Sequence, residues 1–301
     1  MEQLVAELEQ ARIGRVRLHE PLAGHTTWKI GGPADLFVMP DTEEQLAAAL
    51  ALLYRHGVPW CVLGRGSNTL VSDKGIRGAV IKLGDGFDEI RFEDDTVTAG
   101  ASYSFIKLSV MAGKEGLTGL EFAGGIPGTV GGAVYMNAGA HNSDISRILQ
   151  SVDITWEDGS REVLGNEQMA FTYRHTILHE RRGIVTRAVF RLEEGDRKEI
   201  AAAMATYKDR RRRTQPLQMA CAGSVFRNPP NDHAARLIET AGLKGLREGG
   251  AEVSQVHANF IVNHGDATAE DVLTLMRRVQ QTIEQTNGIL LVPEVLLMGE
   301  R

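Results

Sequence analysis

The sequence predicts an α+β protein in two parts, and three observations carry that expectation. Amphipathic helices and short buried strands alternate through the first 120 residues, and the stretch from Ser151 to Glu194 turns β-rich. A polar helix ending in arginines then gives way to a smaller mixture of helices and strands. The chain is 301 residues long, enough for roughly two domains, and its 43% hydrophobic content can fill more than one core.

Taken in order, Leu46, Leu50 and Leu53 recur at helical spacing between Asp41 and Gly57, with Thr42 and Gln45 as a capping-box pair and Gly57-Val58-Pro59 as the stop. Trp60-Cys61-Val62-Leu63 reads as a short buried strand that runs directly into a tight loop, Gly64-Arg65-Gly66-Ser67-Asn68. That order places the loop at the C-terminal end of a strand, where open α/β sheets bind ligands. Strands are expected at Ala79 to Leu83 and Thr96 to Ala99, and a helix from about Ser102 to Lys114 that stops at Gly116. Six glycines then fall within the sixteen residues from Gly124 to Gly139.

Val152 to Trp156, the turn Asp158-Gly159 and Arg161 to Leu164 form a predicted hairpin, and Ile184 to Phe190 a further strand. The polar helix spans about Asp196 to Arg213, and its basic end, Lys208 to Arg213, marks the domain boundary. Beyond it, helices are expected at Asp232 to Thr240 and Thr268 to Gln285, the second with Val272, Leu275, Met276, Val279 and Ile283 on one face. Strands at Phe260 to Val262 and Ile289 to Met298 complete the smaller unit.

Several function classes are disfavoured by composition. Thirty-three basic against 39 acidic residues leave a formal charge of −6, so general attraction to nucleic acid or to an anionic membrane is not expected. The start lacks the pattern of an export signal and no run is long and apolar enough to span a bilayer, which points to the cytoplasm. Cys61 and Cys221 suit two buried thiols better than a disulfide framework, and the nine histidines show no metal-ligand spacing.

Glycine at the density of the two loops is tolerated where backbone turns left-handed or approaches another group closely. Exposed N–H groups in such loops form a nest for a phosphate. A Rossmann fingerprint fails at its third glycine, because Thr69 stands there, and no P-loop motif occurs. One such loop is as often a plain turn; two of them suit a binder of a long phosphate-bearing molecule.

At this point the motifs match a known family. Gly64-Arg65-Gly66-Ser67-Asn68, the run Ala123-Gly124-Gly125-Ile126-Pro127-Gly128-Thr129-Val130-Gly131-Gly132, Tyr173-Arg174, Ala222-Gly223-Ser224-Val225-Phe226-Arg227-Asn228-Pro229 and Pro293-Glu294-Val295 occur in order along nearly the whole chain. Together they resemble the UDP-N-acetylenolpyruvoylglucosamine reductase family. The first two motifs are shared with the wider FAD-binding family that includes vanillyl-alcohol oxidase; the later three discriminate.

The resemblance implies a two-subdomain FAD-binding fold of the vanillyl-alcohol-oxidase type over residues 1–195, with lobes of about 1–85 and 86–195. An α+β substrate domain over 196–301 would complete the chain. It implies noncovalent FAD on Gly64, Arg65, Gly66, Ser67, Asn68, Gly124, Gly125, Ile126, Pro127, Gly128, Val130, Gly131 and Gly132. NADPH would supply the hydride, and UDP-N-acetylglucosamine enolpyruvate would be the small-molecule substrate. The chain is similar to the shorter form of the family, with no inserted tyrosine-bearing loop between Ile184 and Asp196. Rival readings are an FAD-dependent oxidase or dehydrogenase of a small hydroxy acid or sugar on the same fold, and a nucleotide-binding module without turnover.

By resemblance, hydride transfer from flavin to the enol ether leaves negative charge beside a carboxylate, and three residues suit its stabilisation and protonation. Ser224 would protonate the carbanionic carbon. Arg174 would grip the enolpyruvyl carboxylate with its planar guanidinium. Glu294, which interrupts the apolar run from Ile289 to Met298, must face solvent, find a cation or hold a proton. By resemblance it faces the enolate, either protonated as a donor or ionised against Arg174. Tyr173, Arg213 or its neighbour Arg212, Arg227 and Asn228 are the candidates for the rest of the substrate, including its pyrophosphate.

Overall fold

The computed structural model describes residues 1–300 and divides the chain into two compact units. Unit 1 contains residues 1–18, 36–64 and 78–209; unit 2 contains 19–35, 65–77 and 210–301. The cut at 209/210 falls inside the basic helix end, whereas a linear boundary at 195/196 lies within unit 1.

Unit 1 is built on an antiparallel five-stranded sheet, with strands in the order Arg161–Gly165, Leu149–Trp156, Gly183–Arg191, Thr96–Gly100 and Ile90–Glu93. The predicted hairpin is its edge: Ile154 pairs with Glu162 and Thr155 with Arg161. The helices of this unit are α1 (Glu2–Gln10), α2 (Glu43–Arg55), α3 (Phe105–Glu115), α4 (Val130–Tyr135) and most of α5 (Arg197–Thr214).

In α2, Thr42 accepts the Gln45 N–H as expected, but the Gln45 side chain accepts from Asp41 N–H rather than from the cap residue. Leu46, Leu50 and Leu53 are all fully buried, each contributing about 1.5–3 kcal/mol relative to exposure. Helix α3 begins after Ser104, which caps it, and Gly116 ends it in the left-handed conformation at φ +81. Helix α4 was not foreseen. It grows out of the second glycine run because Thr129 caps it by accepting from Gly132 N–H. The expected strand at 79–83 spans Ile76–Ile81 instead and pairs in parallel with Trp60–Val62.

Unit 2 contains α6 (Ala234–Thr240), α7 (Ala269–Asn287) and a three-stranded antiparallel sheet of Arg247–Glu248, Ala251–Val253 and Ile261–Asn263. The five apolar residues foreseen on one face of α7 are all buried, beside Trp28, Val225, Phe226 and Val295. The expected strand over 289–298 is corrected: only Leu296–Met298 joins a ladder, in parallel with Thr69–Val71. Upstream of it, the backbone turns away to an isolated bridge between Phe226 and Pro293. Asp73 belongs to this unit as well, its carboxylate accepting from Ala269 and Glu270 N–H at the start of α7, at 2.7 and 3.1 Å.

Candidate active site

Within unit 2 the fold brings Ser224 and Glu294 onto neighbouring extended segments. Glu294 N–H donates to Val225 O at 2.7 Å and Arg227 N–H to Val292 O at 2.8 Å, on either side of the Phe226–Pro293 bridge. The other side of the Ser224 segment is held by Asn259. Its main-chain oxygen accepts Val225 N–H at 2.8 Å, its Oδ1 accepts Phe226 N–H at 3.0 Å, and its Nδ2 donates to Phe226 O at 2.8 Å. Ser224 is half-buried, follows Gly223 at φ +74, and its hydroxyl has no hydrogen-bond partner among the described residues. Glu294 is also half-buried, so it does not sit on a fully solvated edge.

The parallel ladder explains how Asn68 enters this arrangement. Thr69–Val71 and Leu296–Met298 start at the same end, so the residues just before each strand lie side by side. Asn68 O accepts Leu296 N–H at 2.9 Å, and Asn68 Nδ2 donates to Glu294 O at 3.2 Å. Expected to hold a cofactor, Asn68 spends its side-chain amide on the backbone of Glu294.

Arg174 lies in unit 1 on a closed two-residue turn, in which Thr172 and His175 exchange backbone hydrogen bonds at 3.1 and 3.2 Å. Its φ of +58 is uncommon for a side-chain-bearing residue. Its Nη1 and Nη2 donate to Asn137 O at 3.3 Å and Gly139 O at 3.0 Å, and its guanidinium carbon stands 5.1 Å from the centre of the exposed Tyr173 ring.

The glycine loops contain donors suited to a diphosphate, but fewer than the sequence suggests. In unit 1, a Cβ on Gly64 would come within 3.0 Å of Thr129 Oγ1, so the two loops approach there across a bare Cα. The N–H groups of Gly64, Gly128 and Thr129 donate to no acceptor among the described residues. Thr129 was missed by sequence reading. The neighbouring amides are spent inside the protein: Ile126 on Ala123 O, Val130 on Tyr103 O, Gly131 on Ala101 O and Gly132 on Thr129 Oγ1. Any contact these four residues make with a ligand is therefore not through their amides. In unit 2, the Arg65, Gly66 and Asn68 amides are likewise unspent. Gly66, at φ +60, has no room for a side chain, since a Cβ would meet His25 O at 2.6 Å.

Arg227 keeps its Nε buried with no partner, an orphaned donor consistent with a place at a ligand. Asn228 is exposed, and its side-chain oxygen accepts Ala234 N–H at 3.1 Å at the start of α6. Arg212 and Arg213 are exposed; Arg211 is the half-buried member of the cluster, its Nε donating to Gln215 Oε1 at 2.9 Å. The cysteines are free and half-buried rather than fully buried. Burial pushes the Cys61 thiol up to about 12 and also raises Cys221, which keeps both protonated.

No helix among the described residues is long and apolar enough to cross a membrane. Residues 34–165 match the model of an FAD binding domain, and residues 215–298 that of the UDP-N-acetylenolpyruvoylglucosamine reductase C-terminal domain. A UDP-N-acetylenolpyruvoylglucosamine reductase of Anoxybacillus flavithermus is 53% identical over 100% of both chains. The crystal structure of the Thermus caldophilus reductase superposes with a TM-score of 0.81 at 38% identity, over 94% of this chain and 98% of that one. A Phl p 4 variant described as a glucose oxidase shares the fold alone, at a TM-score of 0.51 and 15% identity, over 64% of this chain and 44% of that one.

Proposed function

The chain belongs to the UDP-N-acetylenolpyruvoylglucosamine reductase family, and we propose that Arg174, Ser224 and Glu294 carry out its reaction. That reaction is the NADPH-dependent, FAD-mediated reduction of UDP-N-acetylglucosamine enolpyruvate to UDP-N-acetylmuramate in peptidoglycan precursor synthesis. FAD, when bound, relays hydride from NADPH to the terminal carbon of the enol ether. Its binding is proposed to draw on the unspent amides, those of Gly64, Gly128 and Thr129 in unit 1 and those of Arg65, Gly66 and Asn68 in unit 2. Ser67, Gly124, Gly125, Ile126, Pro127, Val130, Gly131 and Gly132 are proposed as the other FAD-binding residues of the two loops.

The protein's own work is to orient the substrate, stabilise charge and deliver one proton. Arg174, its plane fixed by the two carbonyls, clamps the enolpyruvyl carboxylate where negative charge develops. Ser224 gives its proton to the carbanionic carbon, and Glu294 steadies the enolate from the adjoining segment. The observation that carries this reading is the Ser224 hydroxyl itself: it has no partner among the described residues, on a backbone fixed by Asn259 on one side and Glu294 on the other. Tyr173, Arg213, Arg227 and Asn228 are proposed to line the rest of the substrate site. With NADPH and a nucleotide sugar as substrates, we place the reaction in the cytoplasm; the net charge of −6 supplies no reason for nucleic-acid binding.

The purified protein should be yellow, bleach on anaerobic NADPH and regain its colour with the enolpyruvyl substrate. Ser224→Ala should bleach at a near-normal rate and recover slower by about 10²–10⁴, the range for loss of a general acid. Equal slowing of both halves would exclude a role confined to protonation.

A further inference from the structure

We propose that Asn137 is the positioning residue for Arg174, fixing both the turn that carries the guanidinium and the guanidinium itself. The inference rests on the carboxylate-clamping role of Arg174 given above.

Asn137 closes α4. Its N–H donates to Val134 O at 3.0 Å and the following Ala138 N–H to Ala133 O at 2.8 Å, the paired bonds of a Schellman cap. The residue at that point must be left-handed, and Asn137 has φ +41. Glycine is the favoured residue there, so asparagine in its place costs stability unless its side chain is used.

Both ends of the side chain are used. Asn137 is 3% exposed; its Oδ1 accepts Ser146 N–H at 3.1 Å, and its Nδ2 donates to Thr172 O at 3.0 Å. Thr172 O is the carbonyl that also accepts His175 N–H and closes the turn bearing Arg174. The left-handed backbone meanwhile presents the Asn137 carbonyl to Arg174 Nη1. One residue thus holds the base of the turn with its amide and the tip of the arginine with its carbonyl, closing a ring from Asn137 through Thr172 and Arg174 back to Asn137. Glycine could make the cap and the carbonyl bond but not the grip on Thr172.

That difference supplies the test. Asn137→Gly keeps a favourable cap and the carbonyl, and Ser146 N–H retains Asp144 Oδ1 at 3.1 Å. The substitution should lower the melting temperature by no more than a few degrees and leave flavin content and the rate of bleaching by NADPH unchanged, while reoxidation by the enolpyruvyl substrate slows about tenfold, the worth of one buried hydrogen bond. In an Arg174→Ala background the same change should have no further effect, because the two residues act as one unit. Unchanged reoxidation in Asn137→Gly, or additive losses in the double variant, would overturn the proposal. Should Asn137→Gly not fold, Asn137→Asp keeps the shape, removes the donor to Thr172 and enters the same cycle. If Arg174→Ala itself reoxidises normally, the role of Arg174 fails; if it is slow while the Asn137 variants are normal, only the positioning inference fails.

Discussion

Asn259 offers the sharpest test of how the Ser224 segment is held, because it satisfies both backbone groups of Phe226 at once. Phe226 is 2% exposed, so neither group can turn to water when Asn259→Ala removes its partner. An orphaned buried donor or acceptor costs about 1–3 kcal/mol, so two of them sum to about 2–6 kcal/mol. For a unit of this size that corresponds to a fall in melting temperature of at least roughly 6 °C. Thermal unfolding followed by circular dichroism reads the loss, and two further variants assign its cause. Asn259→Asp keeps the acceptor for Phe226 N–H and should lose about half as much. Asn259→Leu refills the volume yet still orphans both groups, and should lose as much as alanine. Recovery of stability in Asn259→Leu would show that the alanine loss comes from a cavity, and would refute the hydrogen-bond account.

Two other outcomes are expected from the same geometry. Gly66→Ala puts a side chain at φ +60 and 2.6 Å from His25 O, whereas Gly64→Ala meets only the Thr129 side chain, at 3.0 Å. Gly66→Ala should therefore cost more than about 1 kcal/mol and lower the FAD-to-protein ratio after purification, with Gly64→Ala the milder; equal effects would contradict the packing described. His257 is held below its ordinary value of 6.5 by burial and by Lys244, and its Nδ1 accepts Asn259 N–H at 3.2 Å. The unfolded imidazole takes up a proton more readily than the folded one, so the stability it contributes is present above pH 6.5 and is lost as pH falls through the lower folded value. Urea midpoints measured across that range should decline on the acid side, and His257→Gln should flatten the decline; an unaltered slope would remove His257 as its source.

Local signals served well wherever the determining partners lie within a few residues. The α7 face, the Thr42 cap and the Gly116 stop all depend on neighbours three or four positions away. Ser224 and Glu294 could be named because their motifs resemble a family. What escaped notice depends on distant partners. Asn259 works across 33 residues to Phe226 and Asn137 across 35 to Thr172, and a buried asparagine leaves no periodic trace. Helix α4 was hidden because two glycines lie within it, and its formation rests on Thr129. The apolar run at 289–298 read as one strand, yet Pro293 offers no N–H to a ladder and the bridge to Phe226 bends the segment before Leu296. The second task of Asn68, its side-chain bond to Glu294, left no sign because nothing in a glycine loop announces a carbonyl 226 residues away.

The carboxylate of Asp73 reaches the first turn of α7 across 196 residues of chain, and Thr69–Val71 waits for Leu296–Met298 as its strand partner. During synthesis, every segment of unit 1 has emerged once residue 209 clears the ribosome, whereas unit 2 lacks one edge of its ladder until residues 296–298 have followed. A fragment cut to begin at residue 210 would lose Trp28 from its interior and the acid that seats its longest helix. Aggregation of that fragment under conditions where the whole chain stays in solution would reflect severed topology.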